Sequence, residues 1–182
     1  MIRVHVGCGK RNFGDDWWNV DGHRFKHVDS TDIYLFKFKE NEVDLIYASH
    51  FLEYFDKQHA IDMLKRWLCI LKPGGLIRLA VPDLMTMMRL YLDGPYELSD
   101  FLGPIYGQME SEGQTIFHKT GYDFRTLKEL LESVGFVDVR LYNWRDTEHS
   151  HIDDHSQAYL PHMQKDTGTL ISLNVEATKK IL

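Results

Sequence analysis

The sequence predicts an α/β protein on a mostly parallel sheet whose last strand runs antiparallel. Short apolar strands and helical stretches alternate along most of the chain. The run Val43 to Ala48 is apolar but for Asp44, as suits a parallel strand buried on both faces. The last two strand-like segments, Phe136 to Tyr142 and Thr169 to Ala177, have no helix between them and should pair antiparallel.

The elements follow in order. Arg3 to Gly7 is the first strand and Trp17 to Val20 the second; His27-Val28 is a weak third strand or an extended segment. Lys57 to Leu71 sets Ile61, Leu64, Leu68 and Leu71 at helical spacing, a core-facing stripe. Pro73-Gly74-Gly75 ends that helix and opens the strand Leu76 to Val81. Asp83 to Leu92 reads as a Met-rich helix and Phe124 to Val134 as a helix stopped by Gly135. At 182 residues and 43% hydrophobic content, one domain spanning 1–182 with one core is expected. Two stretches, 93–122 and 144–168, lie outside this scaffold and exceed ordinary loop length. Their aromatics, among them Tyr96, Phe101, Tyr106, Phe117 and Tyr159, argue for ordered structure. Both should emerge at the carboxyl ends of the sheet, where a lid and substrate wall belong.

The chemistry begins at Val4-His5-Val6-Gly7-Cys8-Gly9, a strand running into a Gly-x-Gly turn where a ligand can lie against bare backbone. Twelve residues after Gly9, Asp21 ends the next strand, placed to grip two ribose hydroxyls. The pair points to an adenosine group. A dinucleotide needs a third glycine and a helix N-terminus for its pyrophosphate. Here Asn12 occupies that position, and Lys10 to Asp16 leaves room for at most one helical turn. This abbreviated first crossover helix disfavours a nicotinamide dehydrogenase. It counts far less against S-adenosylmethionine, which carries no phosphate.

A net charge of −6 offers no basic face to a nucleic acid. The sequence opens directly on its first strand, so no signal peptide is expected, and no apolar run reaches membrane-spanning length. A cytoplasmic protein is expected. Two cysteines sixty residues apart make neither a disulfide framework nor a metal motif.

Further strings complete a pattern: Asn19-Val20-Asp21, Val43-Asp44-Leu45-Ile46-Tyr47-Ala48-Ser49-His50-Phe51-Leu52-Glu53-Tyr54-Phe55, Leu71-Lys72-Pro73-Gly74-Gly75 and Arg78-Leu79-Ala80-Val81-Pro82-Asp83. The tail adds Asp153-Asp154-His155-Ser156-Gln157-Ala158-Tyr159 and Ser172-Leu173-Asn174-Val175-Glu176-Ala177. With the glycine turn, these resemble a class I S-adenosylmethionine-dependent methyltransferase over nearly the whole chain. They are most similar to the small methyltransferases associated with surface-polysaccharide biosynthesis. Leu68-Cys69 departs from the arginines such proteins often carry there, a change confined to a helix surface.

The resemblance implies a Rossmann-like methyltransferase fold, S-adenosylmethionine as cofactor and a small-molecule or glycan acceptor. The expected cofactor contacts are Gly7, Cys8, Gly9, Lys10, Asp21, Gly22, Asp32, Ile33, Ser49, His50 and Leu52. Asp32-Ile33 would serve the adenine, with Asp29 a competitor in the same loop. Glu53 caps the following helix or meets the methionine amino group, and Lys72 serves a solvated turn. The candidate bases are His118, His50 and His149, with Tyr106 beside them on the pocket wall. His149, His151 and His155 cannot share one face of a regular element, so no metal site is expected. The alternative is a non-catalytic S-adenosylmethionine-binding scaffold, against which the intact Gly7, Gly9 and Asp21 argue.

Overall fold

The computed structural model describes residues 1–111 and 113–181. In chain order the elements are β1 (Arg3–Val6), β2 (Trp17–Val20), β3 (Val43–Ser49), α1 (Lys57–Ile70), β4 (Leu71–Pro82), α2 (Leu84–Asp93) and α3 (Leu98–Tyr106). There follow β5 (Met109–Ser111), β6 (Gln114–Ile116), α4 (Phe124–Val134), β7 (Phe136–Leu141), β8 (Tyr159–Leu160), β9 (Thr169–Leu170) and β10 (Ser172–Lys179).

Six strands form the main sheet in the order β2-β1-β3-β4-β10-β7. The pairs β1–β2, β1–β3 and β3–β4 are parallel, and β10 runs antiparallel between β4 and β7, with Val175 facing Leu79 and Leu141. The expected architecture is therefore present, with four differences of detail. No helix, not even one turn, occurs between β1 and β2. No third strand forms at His27-Val28; Ser30 makes one isolated parallel bridge to Val20 instead. That crossover is pinned by α1, whose Trp67 Nε1 donates to Ile33 O (3.0 Å) and whose Arg66 donates to the carbonyls of Leu35, Phe36 and Phe38. Lys72 to Gly75 loops out within β4, because Val43 pairs with Leu71 but Leu45 with Leu76. Lys72 is not simply solvated: its Nζ lies 2.8 Å from Asp44 Oδ1, while Asp44 Oδ2 accepts from the Ile2 amide. Finally, the last strand breaks at Ile171, so that β9 pairs with β8 in a separate ribbon.

Each long helix has a carboxylate at its start. Asp56, Asp83 and Asp123 accept from the amides of His59, Thr86 and Thr126, satisfying donors that the first turn leaves free. Strand alternation then divides the core. Val4, Val6, Ile46 and Ala48 face α1 and α4, joining Leu64, Trp67, Leu127 and Leu131. Leu45 and Tyr47 face the other way, with Phe13 and Trp17. That second face is covered by chain from 10–16 and 144–154 whose regular structure is one 3-10 turn, Trp144–Asp146.

Candidate functional site

A cleft of about 1430 Å³ opens along the carboxyl ends of β1, β2 and β3 and beneath both long insertions. Such ends are where open α/β sheets take their ligands, because the connecting loops diverge there. Of the expected cofactor contacts, Gly7, Gly9, Asp21, Gly22, Ile33, Ser49 and His50 line it.

The glycine turn is shaped for close approach. Gly7 has φ +71°, and a Cβ there would stand 2.5 Å from Phe51 Cδ2, so no other residue fits without moving the Phe51 ring. The turn is closed by Asp21, which accepts from the amides of Gly9 and His23, each at 2.8 Å. Each carboxylate oxygen thus keeps lone-pair capacity for a ligand hydroxyl. Ser49 Oγ is buried without a hydrogen-bond partner among the described residues.

Other expected contacts fall elsewhere. Cys8 is buried in the turn, and burial followed by the Asp21 charge pushes its thiol up to about 12. Lys10 is exposed outside the cleft wall, and Leu52 is spent on the main core. Asp32 closes its own loop by accepting from the amides of Tyr34 and Phe36, and it is the neighbouring Ile33 that lines the cleft. Asp29 likewise accepts from the Asn19 amide.

The histidines divide in the same way. His50 and His118 meet on the cleft wall. His149 does not: it is 2% exposed on the far face of the sheet, stacked on Phe13 (4.6 Å) and against Tyr47 (4.2 Å). Burial lowers its pKa to about 4. Its aromatic neighbours on that face draw it into the second core, so it cannot serve as base. Tyr106 is exposed in a surface hollow with Leu102 and Phe117 that adjoins the cleft, Gly103 and Gln108 lining both. His151 is exposed, whereas His155 lies in the cleft with its ring 5.1 Å from that of His50.

Sequence reasoning missed His155, and it undervalued Glu53. Glu53 neither caps a helix nor reaches the cleft surface; it is 0% exposed in the turn after β3. Its Oε1 lies 3.6 Å from His50 Nδ1 and 3.7 Å from His118 Nε2. Neither carboxyl oxygen has a hydrogen-bond partner among the described residues. Burial raises its pKa to about 8. Burial also lowers His50 (well below the ordinary range), His118 and His155. His118 is held by a gap in the chain opposite: Gly107 (φ +55°) caps α3, and a Cβ there would fall 1.8 Å from His118 Nε2.

Comparison with known proteins agrees with this geometry. A family model described as a methyltransferase domain matches residues 10–79. No curated protein sequence matches the chain. A S-adenosylmethionine-dependent methyltransferase from Methanosarcina mazei is 14% identical over 100% of this chain and 93% of its own, with TM-score 0.59. A possible histamine N-methyltransferase from Thermotoga maritima is 13% identical over 98% and 82%, with TM-score 0.60. The 1,6-didemethyltoxoflavin N1-methyltransferase of Burkholderia thailandensis, solved with its substrate and S-adenosylhomocysteine, is 15% identical over 98% and 71%, with TM-score 0.56. At these identities the structural likeness speaks to fold. The fold is that of the S-adenosylmethionine-dependent methyltransferases. With the domain match it supports an enzyme of this type and S-adenosylmethionine as its cofactor. The bare backbone at Gly7, the remaining lone pairs of Asp21 and the unpaired Ser49 hydroxyl fit such a group.

Proposed function

We propose that the chain methylates a polar small molecule or a sugar in the cleft, with S-adenosylmethionine held by Gly7, Gly9, Asp21, Gly22, Ile33 and Ser49. The observation that carries this reading is the glycine turn closed onto Asp21 beside an unspent Ser49 hydroxyl, all on one cleft wall. When bound, the cofactor supplies an activated methyl group, so this chain's task is chiefly alignment and proton removal. Asp21 would bind the ribose, and the turn backbone would lie against the adenosine.

The insertions 93–122 and 144–168 would form the lid and substrate wall of a single domain. They contribute Gly103, His118, His155 and Tyr159 to the cleft, and Arg11 ties the second one down by donating to Asp153 O (2.9 Å). His50 and His118 would serve as base for the acceptor, since a neutral imidazole on the wall can take a proton. The aromatics along the same wall favour a flat polar ring as acceptor. A role in surface-polysaccharide biosynthesis remains the expectation drawn from the sequence resemblance. Among the described residues no helix is long and apolar enough to cross a membrane.

Calorimetry with S-adenosylmethionine, S-adenosylhomocysteine and the nicotinamide cofactors tests the reading. The first two should bind and the nicotinamides should not. Binding of a nicotinamide in their place would overturn it.

A further inference from the structure

The hydrogen bonds around Glu53 fix where protons can sit. His118 Nδ1 lies 3.1 Å from the Ile105 carbonyl, which can only accept, so Nδ1 carries the hydrogen. In neutral His118 the bare nitrogen is therefore Nε2, which faces Glu53. On the other side, Asn174 Nδ2 donates to Ser156 O (2.9 Å), which orients its amide and turns Oδ1 toward Ser172. Ser172 Oγ donates to that Oδ1 (3.0 Å), so toward His50 Nε2, 3.2 Å away, it can only accept. His50 thus carries its hydrogen on Nε2, and its bare Nδ1 also faces Glu53.

With Glu53 ionised, three acceptors converge at a carboxylate that is 0% exposed, between two histidines that line the cleft. Such an arrangement is costly and is relieved by one added proton. We propose that His50, Glu53 and His118 share a single mobile proton, and that this cluster receives the proton an acceptor hydroxyl or amine gives up on methylation. The inference rests on the methyl-transfer reading and extends it to the class of acceptor, a neutral oxygen or nitrogen nucleophile. The acceptor atom bonds to the methyl carbon as the carbon–sulfur bond breaks, and the electron pair of that bond stays on sulfur. The acceptor's proton passes to a cleft-lining histidine and is held within the cluster, which goes from one negative charge to none. His50 and His118 would take that proton at their bare nitrogens, and Glu53 is a positioning residue that acts through them.

The surroundings agree with a cluster that is neutral when it holds its proton. Tyr54 and Tyr122 face Glu53, and burial followed by its charge raises both phenols. Behind His50 stand His155 and Arg11, each disfavouring a further positive charge. Asp153 and Asp154 offset this at His155. Lys119 meets Glu53 by its backbone amide, which donates to Glu53 O at 2.8 Å.

The test is histidine nitrogen resonance on the unliganded full chain from about pH 5 to about pH 10. His118 should be found as the Nδ1–H tautomer and His50 as the Nε2–H tautomer, with both shifting at one common midpoint near 8. In Glu53→Gln that common step should vanish. Separate titrations at ordinary histidine values, the opposite tautomers, or a step that survives in Glu53→Gln would overturn the proposal. If that variant does not fold, the Glu53 carboxyl carbon in the wild type decides. A midpoint shared with the histidines supports the proposal, and an ordinary acidic midpoint overturns it. Calorimetry with S-adenosylhomocysteine on the same sample separates the two layers. Binding without the common step removes the shared proton alone; the step without binding removes methyl transfer and its use of the proton.

Discussion

Asp21 does two jobs, and its replacement should report on both. Its carboxylate closes the glycine turn through two amides while facing the cleft. Asp21→Ala should weaken S-adenosylhomocysteine binding by about 1.5–3 kcal/mol, the scale of a charged hydrogen-bonding partner. Calorimetry on a variant shown to be folded checks this, and unchanged affinity would remove the assignment. His149 allows a prediction of opposite kind. Its pKa falls from 6.5 unfolded to about 4 folded, so the unfolded chain binds the extra proton between those values. Stability from this group is complete above 6.5 and is lost as pH falls toward 4, on the order of 3 kcal/mol. His149→Phe keeps the ring stack and removes both unpaired nitrogens. Its melting temperature should therefore fall less steeply than the wild type's below about pH 6.5; parallel curves would contradict this. Why such residues misled the sequence reading is plain. A histidine beside two others looks chemical, whereas the aromatics that claim it, Phe13, Trp17 and Tyr47, are over a hundred residues away. Glu53 was the reverse case: its importance lies in what does not bond to it, which no local pattern reveals.

Strands and helices were far more legible than the site, because their causes are local. The spacing of Ile61, Leu64, Leu68 and Leu71 marked a helix, although the face α1 buries is Ala60, Met63, Leu64, Trp67 and Ile70 and Leu71 already belongs to β4. Gly135 marked the end of α4, and the largely apolar Val43 to Ala48 run marked β3. The crossover after β2 was not legible, since its order comes from Arg66 and Trp67 on another element. The segment after α3 shows how an element end can govern chemistry. Gly107 lies so close to the His118 ring that any side chain must displace it. Gly107→Ala should therefore move His118 and carry a backbone penalty of about 1 kcal/mol for its left-handed conformation. The expected outcome is a shifted His118 nitrogen resonance with S-adenosylhomocysteine affinity kept within about three-fold. An unmoved resonance would show that the gap closes by some other route.

At the scale of the whole molecule, the sheet has two unlike covers. One face carries α1 and α4 on the large apolar cluster, and the other carries only the segments 10–16 and 144–154 over Phe13, Trp17, Leu45 and Tyr47. The missing helix after β1, first noticed as a reason to doubt a dinucleotide, thus has a mechanical meaning. Chain without its own backbone ladder opens in small, independent excursions, while a helix docked on a sheet opens together with it. Amide hydrogens of 10–16 and 144–154 should exchange with solvent orders of magnitude faster than those of β1, β3 and β4. Because Arg11, Asp153 and Asp154 belong to that looser cover and also line the cleft, a ligand seated there should slow exchange on this face selectively and leave the helical face almost unchanged. Equal protection of both faces on adding S-adenosylhomocysteine would count against it. The same sheet is then a fixed wall on one side and, on the other, a surface that tightens when occupied.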